Sequence, residues 1–192
     1  ILEVEPSAQR YAQRQGKLNV LIVGGSLGAM AINEVVPKAL AKIDKKLRPN
    51  VRHQAGARNI EQTQALYNAL AIEADVTAFI DKMDEAYSWA DLVICRAGAL
   101  TVSEIAIAGV ASLLIPFPFA VDDHQSANGQ FLVDAGAARL VAQKTLDENK
   151  LVELLAQLDN REILADMADK AQHVGSPQAS NTVANICLEE ML

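Results

Sequence analysis

Asp91-Leu92-Val93-Ile94-Cys95, continued by Arg96-Ala97-Gly98-Ala99-Leu100-Thr101-Val102-Ser103-Glu104, is the stretch on which the reading of this chain turns. The first five residues form a short apolar run of the kind a buried strand makes, and the next nine open a helical pattern. A glycine at 98 is expected to let the backbone bend and a ligand approach closely. The helix beginning near Thr101 offers unpaired N–H groups and the positive end of its dipole to an anion. Glu104 lies one turn into that helix, where a carboxylate accepts hydrogen bonds from two neighbouring hydroxyls such as a ribose carries. Diphosphate and ribose contacts in one turn point to a nucleotide. The same residues also spell a capping box, Thr101-x-x-Glu104, in which Thr101 caps the helix and Glu104 reaches back to the cap's N–H. Nine residues leave both readings open.

The flanks repeat the strand-then-helix alternation. Upstream, a strand is expected over 18–23, followed by the glycine turn Gly24-Gly25-Ser26-Leu27-Gly28 and a long amphipathic helix to about Ile43. Strands follow at 51–55 and 75–80, with a helix over 58–71 between them and another, capped by Asp81, running to Trp89. Downstream, Gly109 stops the helix that holds Glu104, and a strand over 111–115 ends at Pro116-Phe117-Pro118. The loop 119–125 leads into a helix through Val133, with Gly136 after its end, and a last strand covers 138–141. Thr145-x-x-Glu148 reads as a second capping box, and the remaining helices break near Asn160 and at Gly175-Ser176-Pro177. Strands apolar on both faces and alternating with helices argue for an α/β, Rossmann-like, doubly wound parallel sheet. In such sheets ligands sit beyond the carboxyl ends of the strands, where the turns at 24–28 and 96–101 and the loop at 116–125 all lie.

Residues 1–17 read as a short lead-in helix, starting near Pro6-Ser7, or a linker from a preceding lobe. Residues 18–176 read as the ligand-binding domain, and 177–192 as a final helix packing toward a lobe outside this chain. The 192 residues suit one domain, and 51% hydrophobic against 4% aromatic content describes an Ala, Val, Leu and Ile core. With 17 basic and 24 acidic residues the net charge is -7, which argues against nucleic acid as a partner. Lys38, Lys42, Lys45, Lys46, Arg48, Arg52 and Arg58 cluster locally, as cations do at solvated helix ends. Cys95 and Cys187 have no disulfide or metal spacing, so a reducing, cytoplasmic setting is expected. No apolar run reaches membrane-spanning length and no signal peptide is visible. The chain starts at Ile1 rather than Met, and is expected to be a piece of something longer.

The glycine turn lacks the G-x-G-x-x-G spacing and has no following Lys-Ser/Thr, so it is neither a dehydrogenase fingerprint nor a P-loop. It matches the G-x-S-x-G nucleophile elbow of hydrolases, with Ser26, Asp81 or Asp91, and His124 or His173 as a formal triad. An elbow belongs in the middle of a sheet, whereas this one follows the first strand of the chain, and the expectation is a turn that brings Ser26 and the backbone to a ligand. His124 and Gln125 sit on a loop over the strand ends, where they either start a helix or hydrogen-bond a sugar. No Asp-x-Asp pair or metal-ligand spacing occurs, so no metal and no cofactor are expected; helix N–H groups would hold a diphosphate.

Taken in order, Gly24-Gly25-Ser26-x-Gly28, Phe79-Ile80-Asp81-x-Met83, Cys95-Arg96-x-Gly98-Ala99-Leu100-Thr101-Val102-Ser103-Glu104, Pro116-Phe117 and Asp122-x-x-Gln125-x-x-Asn128 resemble the carboxy-terminal domain of the MurG family of bacterial N-acetylglucosaminyltransferases, over roughly residues 18–190. That resemblance implies one lobe of a GT-B glycosyltransferase, holding UDP-N-acetylglucosamine for inverting transfer to lipid I, which gives lipid II for the cell wall. It implies that the Ile80 backbone meets the uracil, and that Glu104 meets the ribose hydroxyls. Ala99, Leu100, Thr101, Val102 and Ser103 would wrap the diphosphate, and Ser26 and Gln125 would touch the donor. Gly25, Gly28, Gly98, His124 and Asn128 would lie close by. Arg96 and Thr101 would stabilise charge on the leaving diphosphate.

The general base, the acceptor site and the surface that meets the cytoplasmic face of the inner membrane would belong to an amino-terminal lobe outside this chain. Position 27 is Leu where the family often has Gln, and the family's Asn-Pro-Val-Arg segment would fall just before Ile1. The chain alone is therefore expected to be soluble, to bind donor weakly and to transfer nothing. Two other functions fit the same residues: a self-standing UDP-sugar-binding subunit that works with a separate membrane partner, and a related UDP-sugar transferase with another acceptor.

Overall fold

The computed structural model describes residues 1–25, 29–120, 123–179, 182 and 186–187. Six strands, β1 (Asn19–Val23), β2 (Asn50–Gln54), β3 (Asp75–Thr77), β4 (Leu92–Cys95), β5 (Ala111–Leu114) and β6 (Ala138–Leu140), form one sheet in the order β3-β2-β1-β4-β5-β6. Every pairing is parallel, as two-sided apolar strands require. The helices are α1 (Ser7–Ala12), α2 (Met30–Lys42), α3 (Ile60–Ala69), α4 (Met83–Trp89), α5 (Ala99–Ala108), α6 (His124–Asp134), α7 (Glu148–Gln157) and α8 (Arg161–Val174).

Alternation along β1 explains the two cores. Val20 and Ile22 point to one face, where they join Ile32 and Val36 of α2, Tyr67 of α3, Leu151 of α7 and Leu164 of α8. Leu21 points to the other, with Val93, Tyr87 of α4, Ile105 of α5 and Leu132 of α6. β4 and β5 are buried at every position. β3 is shorter than the expected 75–80 because it is an edge strand whose only neighbour, β2, runs out at Gln54. α3 ends at Ala69, not 71, because the chain turns at Ala71 with a φ of 51°.

Residues 1–17 contain a short helix, α1, and it is fastened to the rest of the chain. Arg10 is buried and donates to the carbonyls of Tyr87 at 3.3 Å, Ala108 at 2.8 Å and Gly109. Tyr11 donates to the Asp91 carbonyl at 2.6 Å. The Asp91 carboxylate, 0% exposed, accepts from Arg14 Nη1 at 2.7 Å, the Asn19 N–H at 2.7 Å and Arg161 Nη2 at 3.5 Å, which joins α1, β1, β4 and α8 at the amino edge of the sheet. The final helix expected over 177–192 falls largely outside the described residues. Among those described, no helix is long and apolar enough to cross a membrane.

His53 is fully buried on β2, with Nε2 at 3.0 Å from Asn33 Oδ1 and Nδ1 at 2.9 Å from the Tyr67 hydroxyl, while Asn33 Nδ2 donates to the Ala55 carbonyl at 2.9 Å. An amide oxygen only accepts, so Nε2 carries the proton and Nδ1 accepts from the phenol. Burial pushes the His53 pKa down to about 3 from 6.5. Because the folded value lies below the unfolded one, the unfolded chain takes the proton first, and stability present above pH 6.5 drains away as pH falls toward 3. Between pH 7 and 5 this single group is expected to cost about 2 kcal/mol. Urea unfolding at both pH values should show a His53→Gln variant losing about that much less than the parent; equal losses would remove His53 from the acid limb.

Candidate functional site

The winding of the sheet reverses between β1 and β4, and the crevice beyond the carboxyl ends of these strands is where an open parallel sheet binds ligands. Val23 and Cys95 are register partners, so the turns that follow them start side by side. In the first, Gly24 N–H donates to the Gln54 carbonyl at 3.0 Å, and a Cβ on Gly24 would stand 2.9 Å from that oxygen and 3.0 Å from the Ala29 nitrogen. Gly25 has φ +76° and is exposed, a conformation that glycine adopts without strain. Ser26, Leu27 and Gly28 lie outside the described residues.

The second turn differs from its expected form in three ways. α5 starts at Ala99, two residues before Thr101, with Gly98 as its cap residue and no side-chain cap bond. Glu104 does not reach back to the helix start; its Oε2 accepts from the Tyr87 hydroxyl at 3.0 Å. The capping-box reading of Thr101 and Glu104 is therefore set aside, and among the described residues the first-turn N–H groups of α5 have no side-chain partner. Gly98 has φ -65° and ψ 148°, which any residue adopts, so it is not there to bend the chain. Among the described residues a Cβ at 98 would meet only Thr101 Oγ1, at 3.8 Å, so what the glycine leaves there is open space over the helix end. Ala99, Leu100 and Ser103 are exposed around that space, Thr101 and Glu104 are half-buried, and the Val102 side chain is in the core, so Val102 presents only its backbone. An opening of about 600 Å3 runs along the flank of α5, touching Ala99, Val102, Ser103 and Asn128.

Arg96 is half-buried, and its guanidinium faces the next loop. Nη1 donates to the carbonyls of Ile115 at 3.0 Å and Pro116 at 3.1 Å, Nη2 to Gln143 Oε1 at 2.6 Å, and the group stacks 5.4 Å from the Phe117 ring centre. Burial lowers its pKa, and the guanidinium stays charged. The loop thus braced is tied to the first turn of α6 by Gln125, whose Oε1 accepts from the Phe117 N–H at 2.9 Å, which leaves the amide N–H groups of that side chain for other partners. Asn128 Nδ2 donates to the Ala97 carbonyl at 3.2 Å and ties α6 to the Gly98 turn. His124 is exposed at the start of α6. The residue before it, Asp123, is held in the left-handed region at φ 52°, a strained backbone of the kind that gathers at ligand sites. Ile80 lies in the loop between β3 and α4, where it borders a small cavity of about 200 Å3 with Thr77, Phe79 and Lys82. The cap of α4 is Lys82 rather than the expected Asp81, and that of α7 is Asp147, which accepts from the Lys150 N–H, rather than Thr145.

Gly24, Gly25, Gly98, Arg96, the first turn of α5, Glu104, Gln125 and Asn128 therefore share the carboxyl edge of the sheet. Sequence reasoning missed Tyr87, Gln143 and the His53–Asn33 pair, because each makes its bond to a residue on another element and no spacing marks it. Ser26 of the formal hydrolase triad lies outside the described residues, and two of its four candidate partners, Asp91 and His173, are engaged elsewhere. β1 is central after all, flanked by β2 and β4, but Asp91 is locked into ion pairs at the opposite edge, and His173 is exposed on α8 with Asp169 beside it. Among the described residues no group of three or more His, Cys, Asp or Glu side chains is placed to hold a metal.

Comparison with known proteins bears on the same residues. Residues 19–183 match the family described as "Glycosyltransferase family 28 C-terminal domain". The chain is 52% identical over 189 residues to the UDP-N-acetylglucosamine--N-acetylmuramyl-(pentapeptide) pyrophosphoryl-undecaprenol N-acetylglucosamine transferase of Aromatoleum aromaticum, covering 98% of this chain and 53% of that protein. It is 55% identical over 187 residues to the protein of the same name in Ralstonia nicotianae, covering 95% of this chain and 51% of the relative. The crystal structure of Acinetobacter baumannii MurG superposes with a TM-score of 0.92 at 45% identity, over 98% of this chain and 54% of that one. The chain spans about half the length of the curated relatives it matches.

Proposed function

This chain belongs to the family of glycosyltransferase family 28 C-terminal domains, and from that premise we propose that it is the lobe that holds UDP-N-acetylglucosamine in a bacterial N-acetylglucosaminyltransferase of peptidoglycan synthesis. The observation that carries this reading is the uncapped start of α5 beside the Glu104 carboxylate, at the reversal point of the sheet. A diphosphate suits the first-turn N–H groups of Ala99, Leu100 and Thr101, which act with the positive helix end of about half an elementary charge. Glu104 accepts from the ribose hydroxyls. The uracil rests against the backbone of Ile80, and Gln125 offers its amide N–H groups to the sugar.

In the reaction, the C4 hydroxyl of the muramoyl sugar of lipid I attacks the anomeric carbon of the donor from the face opposite UDP. The glycosidic bond forms as the bond to the diphosphate breaks, with inversion. Charge builds on the departing diphosphate, and the α5 terminus stabilises it without reorganising, which is how a fixed dipole lowers a barrier. We assign Arg96 to this step through the loop it braces, since three of its N–H groups donate to Ile115, Pro116 and Gln143. The general base, the lipid I site and the contact with the cytoplasmic face of the membrane fall to a second lobe. Nucleic acid has no part in it.

The test is a titration of the chain with UDP and UDP-N-acetylglucosamine in the absence of divalent metal, followed by 1H–15N NMR. Saturable shifts confined to the turns at 24–25 and 98–104, the Ile80 loop and the start of α6 are expected. A well-dispersed spectrum that neither ligand perturbs would overturn the proposal.

A further inference from the structure

A glutamate on an exposed helix turn has three side-chain torsions and spreads its carboxylate over several positions, and freezing it on ligand binding costs entropy. Glu104 is not in that situation. Its Oε2 accepts from the hydroxyl of Tyr87 at 3.0 Å, and Tyr87 is fully buried on α4, a different element. The ring lies in the core cluster that contains Val93, Cys95, Val102 and Ile105, and the backbone carbonyl of Tyr87 is held by Arg10. The donor is therefore rigid from both sides. Burial, with the Glu104 carboxylate beside it, pushes the phenol pKa far above its usual value, so the hydroxyl keeps its proton and donates.

The geometry points to Tyr87 as a positioning residue for nucleoside diphosphate recognition: its hydroxyl fixes one oxygen of the Glu104 carboxylate so that the remaining lone pairs face a vicinal diol. One hydrogen bond from the phenol leaves Oε1 and the second lone pair of Oε2 to accept from two adjacent hydroxyls. The bond costs the ligand nothing to form, because it is in place beforehand. This inference rests on the reading of Glu104 as the ribose ligand.

Tyr87→Phe keeps the ring and removes only the donor. Binding of UDP and of 2′,3′-dideoxy-UDP is measured on the parent, Tyr87→Phe, Glu104→Ala and the double variant, with 1H–15N spectra read for dispersion. Tyr87→Phe is expected to weaken UDP about three- to tenfold and to leave dideoxy-UDP within about twofold of the parent, since a ligand without the diol does not use Glu104. In the Glu104→Ala background the same substitution is expected to change UDP affinity by less than about twofold. A merely structural bond between α4 and α5 would lower both ligands together, and that result overturns the inference, as does unchanged UDP affinity in Tyr87→Phe. A parent that binds UDP and dideoxy-UDP equally would instead bring down the ribose reading of Glu104 itself, an outcome seen without any variant.

Discussion

Glu104→Ala is expected to reduce the affinity of this chain for UDP by about ten- to a hundredfold, the largest loss any single side chain of the site should produce. The substitution removes two hydroxyl-to-carboxylate hydrogen bonds, each worth about 0.7–1.4 kcal/mol after screening at a half-exposed group. It leaves the α5 terminus, Gly98 and the diphosphate contacts untouched. Inorganic pyrophosphate, which carries no ribose, should therefore bind both forms alike. Titration of parent and variant with the two ligands checks this. An equal loss for pyrophosphate would mean that the substitution had disturbed the helix start rather than a ribose contact.

The largest effect on stability is expected far from that site. Asp91→Ala removes a fully buried carboxylate, takes the counter-charge from Arg14 and Arg161, whose side chains are 13% and 22% exposed, and leaves the Asn19 N–H without its acceptor. Breaking a buried pair from one side costs about 3–5 kcal/mol, because the partner charges stay desolvated without compensation. Chemical denaturation should find that loss, and Asp91→Asn should recover part of it by keeping an acceptor for the Asn19 N–H. UDP affinity of the folded fraction should be unchanged, since Asp91 stands at the amino edge of the sheet and the ligand turns at the carboxyl edge. A loss below about 1 kcal/mol would make the ion pairs incidental.

Much of this molecule is legible in its sequence, for physical reasons that differ by element. The runs at 91–95 and 111–115 are apolar on both faces because the strands they make have neighbours on both edges and helices on both sides, and that requirement reads directly as composition. All six strands were expected in place. The start of α5 was misjudged because Thr-x-x-Glu is a local pattern, and local patterns do not know that Tyr87 waits across the core to take the carboxylate. Arg96 is similar: its type suggests an anion, while its partners Ile115, Pro116 and Gln143 come from segments that only the fold brings near. The short α3 is followed by Ala71 with positive φ, a position where no glycine announces the turn. The order of motifs along the chain, by contrast, was enough to reach the family, since order survives even when one motif is misread.

The pairing of β1 with β4 has a consequence for the time course of folding. Val20 and Leu92 are partners, although β2, β3 and three helices separate them in the chain, so the centre of the sheet is its least local contact. During synthesis at roughly 5–20 residues per second, β1 waits on the order of ten seconds for β4 to emerge. Until then it has at most one neighbour, and its second edge is an open apolar strand, the kind that recruits other chains. Helix α1 waits as well, because the acceptors for Tyr11 and Arg14 are on Asp91. Within this lobe, the segment that precedes the rest in the chain is thus among the last to be locked in place.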